Sequence, residues 1–148
     1  MAKLKSQYLS DTDDFIAKMT VNYNLVAGLK LNIATGMTVT SLEEFKTLPH
    51  TIANPGLKYT SEKSSVTKSL LNRNSWIVEP KLQWLKKGEN DGWDVLVGTT
   101  MEERYQDFLS VYASNFISDD LLMNLASAKN QQIVKSNDIK YRYLSFYG

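Results

Sequence analysis

Two bulky apolar runs flanking Gly88-Glu89-Asn90-Asp91-Gly92 constrain this chain more than any other local feature. Glycine and Asn/Asp tolerate the positive φ of a tight reversal. Residues 82–87 and 93–97 carry the bulky side chains that favour strands. The cluster predicts an antiparallel hairpin. Residues 76–79 have the same character, and Pro80 is expected to break them, since proline has no N–H for a ladder.

Elsewhere the apolar residues recur at spacings of three and four. Phe15, Ile16, Met19, Tyr23 and Val26, following the acidic Asp11, Asp13 and Asp14, predict a helix over 12–27 that Gly28 can end. Leu29, Leu31 and Ile33 alternate with polar or small residues and suggest a strand, with Thr35-Gly36 turning into 37–40. A helix continuing to Ala34 is the rival reading. Ser41 and Glu44 have capping-box spacing and predict a short helix containing Leu42, Phe45 and Leu48, stopped by Pro49. Residues 49–60, with Pro55-Gly56, read as a loop. A helix over 61–73 is expected to face Val66, Leu70 and Leu71 inward. Thr100 and Glu103 repeat the capping spacing before Tyr105, Phe108, Leu109, Tyr112 and Phe116, giving a core helix to about 117. Ser118-Asp119-Asp120 opens a last helix with Leu121, Leu122, Leu125 and Ile133. Ile139, Tyr141 and Tyr143 alternate with Lys140 and Arg142 as a closing strand. The sum is an α+β fold: about five helices packed on a small, mostly antiparallel sheet in a single compact domain over 1–148, with 1–10 as a flexible N-terminal tail.

Composition narrows the chemistry. The chain has 148 residues, 17 basic and 16 acidic, and no cysteine. Thiolate zinc sites, iron–sulfur clusters, disulfides and cysteine nucleophiles are excluded. A near-neutral balance removes the simplest argument for nucleic-acid binding. The absence of cysteine, of an apolar leader after Lys3 and Lys5, and of a long apolar run leads to the expectation of a cytoplasmic protein without a membrane partner.

No motif supplies a catalytic residue, cofactor site or metal site. His50 is the only histidine, and reads as a loop residue. Thr99-Thr100 reads as a helix cap. Glu79-Pro80-Lys81 resembles the E-x-K half-motif of restriction-endonuclease-like nucleases. That resemblance implies a Mg²⁺-binding carboxylate and a lysine near the attacking water. The second carboxylate that such chemistry needs is out of order, since Glu43, Glu44 and Glu62 fall on expected helices and Asp94 lies downstream. A metal-dependent nuclease is therefore the third reading. The second is a nucleic-acid-binding module using the Trp/Lys hairpin, with Trp84, Lys86, Lys87, Lys140 and Arg142 as contacts. The first is a non-enzymatic interaction protein: an assembly factor, inhibitor or structural subunit. Its Asn-, Ser-, Lys- and Tyr-rich texture resembles bacteriophage accessory or virion proteins, which would place it in a host cytoplasm or a virion. Tyr143, Leu144, Phe146 and Tyr147 are the expected contacts for a protein partner or self-association, because one sheet face cannot bury them all.

Overall fold

The computed structural model describes residues 6–88 and 91–148. It is a five-stranded antiparallel sheet in sequence order: β1 (Tyr8–Val26), β2 (Leu29–Leu48), β3 (Ser65–Lys87), β4 (Gly92–Phe116) and β5 (Ala128–Tyr147). The strands are 19 to 25 residues long. Helical structure among the described residues is confined to three-residue 3₁₀ turns.

The α+β expectation is therefore wrong: the residues of its five helices form strands, apart from 61–64 and 118–127, which are short 3₁₀ turns and irregular chain. The reason is visible in β1. Phe15, Ala17, Met19, Val21, Tyr23 and Leu25 occupy consecutive odd positions, while Lys18, Thr20, Asn22 and Asn24 occupy the even ones. Strand side chains repeat every two residues, and this is that repeat. Adding Ile16 and Val26 from the even positions produced the apparent helical spacing. The capping boxes mislead in the same way. Ser41 Oγ bonds Asn72 on β3, and Glu44 accepts from the Tyr8 hydroxyl on β1. Thr100 Oγ1 donates to Glu79 on β3, and Glu103 pairs with Lys140 and Arg142 on β5. These polar groups serve cross-strand partners, not helix termini. Thr35-Gly36 does not turn, and β2 runs through it. Pro80 does not end β3 either. Phe108, expected deep in a helix core, is half-buried on β4 with the Lys135 ammonium 5.4 Å from its ring centroid.

Other expectations hold. β3 and β4 are neighbours that reverse around Gly88 and Asp91, with Gly88 N–H donating to the Asp91 carbonyl at 2.7 Å. Glu89 and Asn90 lie outside the described residues, as do residues 1–5 of the expected tail; β1 is already formed at Tyr8. The strand at 139–143 belongs to β5, and β2 ends just before Pro49. The helix expected from Ser118 does not form; Ser118 caps a three-residue 3₁₀ turn instead.

The chain divides into two compact units. The first comprises Met1–Asp13, Thr40–Asn72 and Asp107–Asp138. It contains the two long connections and the buried core of Val66, Ala113, Phe116, Leu122 and Ala128, with Phe45 and Leu125 against it. The second comprises Asp14–Val39, Arg73–Gln106 and Ile139–Gly148. It contains the two tight reversals. None of its described residues is buried.

Gly28 closes the reversal between β1 and β2. Its φ of +81° lies in the left-handed region, and a Cβ there would stand 2.2 Å from the Leu85 carbonyl oxygen. Its own carbonyl accepts from Leu85 N–H at 2.7 Å. Gly28→Ala is expected to cost at least about 1–2 kcal/mol for the backbone alone. Gly92→Ala, whose nearest neighbour is the Lys86 carbonyl at 3.6 Å, should be within about 0.5 kcal/mol of the parent. Equilibrium denaturant unfolding of the two variants checks this difference.

Candidate functional site

Cross-strand contacts fix which positions of the second unit share a face. Asn32 donates to Asn22, and Gln83 Nε2 donates to Asp94 Oδ1 at 2.8 Å. Arg73 donates to Gln106 Oε1 from Nε and Nη2, at 3.2 and 3.0 Å. A Cβ at Gly36 would lie 3.2 Å from Ile77 Cγ2 and 3.9 Å from Lys18 Cγ. The Tyr147 ring lies over Gly98, where a Cβ would approach it to 2.5 Å. These residues define a polar face that also carries Asn24, Lys30, Lys81 and Glu102, interrupted by Ile16, Val26, Ile77, Leu85, Leu96 and Ile139.

Alternation sends the remaining side chains to the opposite face, which is apolar on every strand. β1 supplies Phe15, Ala17, Met19, Val21, Tyr23 and Leu25. β2 supplies Leu29, Leu31, Ile33, Met37 and Val39. β3 supplies Trp76, Val78, Pro80, Leu82 and Trp84. β4 supplies Trp93, Val95, Val97 and Met101, and β5 supplies Leu144 and Phe146. Leu29, Leu82, Trp84, Val95 and Val97 line one groove of this face, joined by Val26 from the end of β1 at the tight reversal. The face is open: Tyr23 is 62% exposed, Trp93 66% and Phe146 78%. The two threonines within it satisfy their hydroxyls on the backbone. Thr35 donates to the Ile77 carbonyl at 3.0 Å and Thr99 to the Ser145 carbonyl at 2.7 Å.

Aromatic residues stand at both ends of the apolar runs. Tyr23, Trp84 and Trp93 lie near the tight reversals, and Phe15 and Trp76 at the far ends. Beyond Met101 the same face turns ionic. Glu103 holds Lys140 Nζ at 3.1 Å and Arg142 Nε at 2.7 Å. The hydrogen bond from Arg142, and then that from Lys140, holds the Glu103 carboxyl below the usual carboxylate range.

The expected contact residues fall on different sides of this arrangement. Leu144 and Phe146 are on the apolar face, and Tyr143 and Tyr147 on the polar one. Trp84, Lys86, Lys140 and Arg142 share a face but are not brought together: Trp84 lines the groove with Val97, whereas Arg142 lines another with Trp76 and Met101. Lys87 points to the opposite face. Glu79 and Lys81 are both on the polar face, Glu79 bound to Thr100 and Lys81 beside Asn22 and Gln83. Among the described residues no group of three or more His, Asp or Glu could hold a metal ion.

In the first unit, Ser64, His50 and Asp119 meet. The buried Ser64 hydroxyl donates to Asp119 Oδ1 and accepts from His50 N–H at 2.8 Å. His50 Nδ1 stands 2.9 Å from Asp119 Oδ2, at ion-pair distance without the alignment of a hydrogen bond. A hydrolytic relay needs serine and aspartate on opposite ring nitrogens. Here both face Nδ1, with Ser64 Oγ at 3.4 Å. The trio clasps the connection between β2 and β3 to that between β4 and β5.

No family model matches the chain, and no curated protein matches it. The fold is found in a solved structure of the RagAB peptide transporter, with a TM-score of 0.77 over 95% of this chain at 17% identity. The chain spans 16% of the length of that transporter chain. This likeness shows the fold. No helix among the described residues is long and apolar enough to cross a membrane; the apolar surface is carried by strands.

The ionic border makes a titration prediction. A carboxyl whose folded pKa is lowered contributes stability above its unfolded pKa, and loses it as pH falls through the folded value. Glu103 should therefore stay ionised below the ordinary carboxylate midpoint, and Arg142→Gln should move its titration upward. Carbon-detected NMR of the Glu103 carboxyl reads this directly; an unmoved midpoint would contradict the pairing.

Proposed function

We propose that the second unit is a stretch of lipid-facing wall in a transmembrane β-barrel, and that the chain acts without catalysis as part of a transporter for polar solutes. The observation that carries this reading is a solvent-accessible apolar face that continues across five antiparallel strands, broken within the apolar runs by Thr35 and Thr99. A membrane-crossing strand needs about 9–11 residues of alternating character. The apolar runs from Phe15 to Leu25 and from Trp93 to Met101 have that length. In hydrocarbon every polar group must find an internal partner, and the backbone bonds of Thr35 and Thr99 meet that demand. Aromatic residues at both ends of the runs suit the two membrane–water interfaces.

On this reading the polar face looks into a water-filled lumen. Its paired amides and acids, Asn22 with Asn32 and Gln83 with Asp94, offer donors and acceptors to a passing solute. The likeness to a peptide transporter favours peptides as that solute. Within this sheet β1 and β5 each have a neighbour on one side only. A membrane sheet cannot leave such edges unpaired. β1 and β5 run in the same direction, so antiparallel closure requires an odd number of further strands. The expected protein partner is then whatever supplies those strands. The reading replaces the expected cytoplasmic, membrane-free interaction protein.

Paired substitutions test it. In lipid, an arginine on the outer face near the midplane costs about 2–4 kcal/mol. In water, both faces are exposed surface and neither change should exceed about 0.5 kcal/mol. Val97→Arg should therefore destabilise the chain refolded into phospholipid vesicles, and Leu96→Arg on the polar face should not. Equal, small effects would support the water-soluble interaction protein instead.

A further inference from the structure

We infer that the ionic border formed by Lys140 and Arg142 is a docking site for the phosphate of an anionic membrane lipid, its acyl chain lying on Trp76, Met101 and Leu144. The inference rests on the membrane reading and adds a ligand to it. Arg142 and Leu144 line a groove with Trp76, Met101 and Glu103, so a guanidinium and apolar side chains share one depression. Among the described residues, Nε is the guanidinium atom of Arg142 that is hydrogen-bonded, to Glu103. That leaves the Nη groups for a second acceptor. Both cations are open to solvent, with side-chain exposures of 49% for Lys140 and 72% for Arg142. Two cations share the Glu103 carboxylate, and Glu102, which lines the same groove, is paired with Arg104 at 2.9 Å, so the cluster keeps one net positive charge at the edge of an apolar surface. A lipid phosphate matches both halves: the anion meets the guanidinium fork bidentately, and the tail covers the apolar strip. A free phosphate would use only the first half.

Quenching of Trp76 in the full chain carrying Trp84→Phe and Trp93→Phe, reconstituted in phosphatidylcholine vesicles, tests this. Spin-labelled phosphatidic acid should quench Trp76 with about fivefold preference over spin-labelled phosphatidylcholine, the effect of roughly one net surface cation. Arg142→Gln should abolish the preference. Glu103→Gln, which frees both cations, should raise it, a change in the direction that misfolding does not produce. Inorganic phosphate at millimolar concentration should leave it unaltered. Equal quenching by the two lipids, no rise with Glu103→Gln, or full competition by inorganic phosphate would each overturn the lipid site. If neither lipid quenches Trp76, and neither quenches Trp84 or Trp93 in the parent chain, the membrane reading itself fails.

Discussion

The two-residue repeat of an extended chain is the constraint on which everything else in this structure depends. In a strand, successive side chains leave on opposite sides, so one polar–apolar alternation commits each strand to two different surroundings. Cross-strand contacts bring the five alternations into phase: Asn22 with Asn32, Gly36 beside Ile77, Gln83 with Asp94, and Gly98 under Tyr147. Once they are in phase, the second unit has one face of amides and ions and one face of leucine, valine, methionine and tryptophan. No second layer lies over the apolar face, because none of that unit's described residues is buried.

A water-soluble domain of this size buries its apolar stripe against a second layer. The first unit does so locally. Phe116 and Val66 are fully enclosed, and the two long connections close over them through Ser64, His50 and Asp119. The second unit does the reverse, with its largest side chains outermost. On the proposed reading a bilayer is the missing apolar layer, and the placement of the polar exceptions fits it. Thr35 and Thr99 turn their hydroxyls to the backbone, and the ions on that face, Lys86 at one end and Glu103, Lys140 and Arg142 at the other, come only beyond the apolar runs.

Part of this was legible in the sequence. The Gly88–Gly92 cluster reported its reversal correctly, and the alternation at Leu29, Leu31 and Ile33 reported β2. The helical spacing has a physical origin. A strand that is apolar on one side and carries an occasional apolar residue on the other, as β1 does with Ile16 and Val26, also satisfies spacings of three and four. Six apolar residues in a row at odd positions from Phe15 to Leu25 are the stronger signal, and they were in plain view. The capping boxes at Ser41 and Thr100 were real spacings used for another purpose, since the same hydroxyls and carboxylates bond equally well across a sheet. The pairing of Glu103 with Lys140 and Arg142 could not be read in advance, because it depends on the register of β4 and β5. Tyr143, Leu144, Phe146 and Tyr147 are too many apolar side chains for one sheet face to bury. Alternation divides them between the two faces, Leu144 and Phe146 on one and Tyr143 and Tyr147 on the other.

The central claim is that the odd and even positions of β1 meet different solvents. The chain has no cysteine, so single cysteines can be placed at positions 17 to 24 against a blank background and probed in vesicles with a water-soluble maleimide. The account predicts rapid labelling at Lys18, Thr20, Asn22 and Asn24, and protection at Ala17, Met19, Val21 and Tyr23 that disappears when the bilayer is dissolved. Uniform labelling of all eight positions in the presence of the bilayer would contradict it.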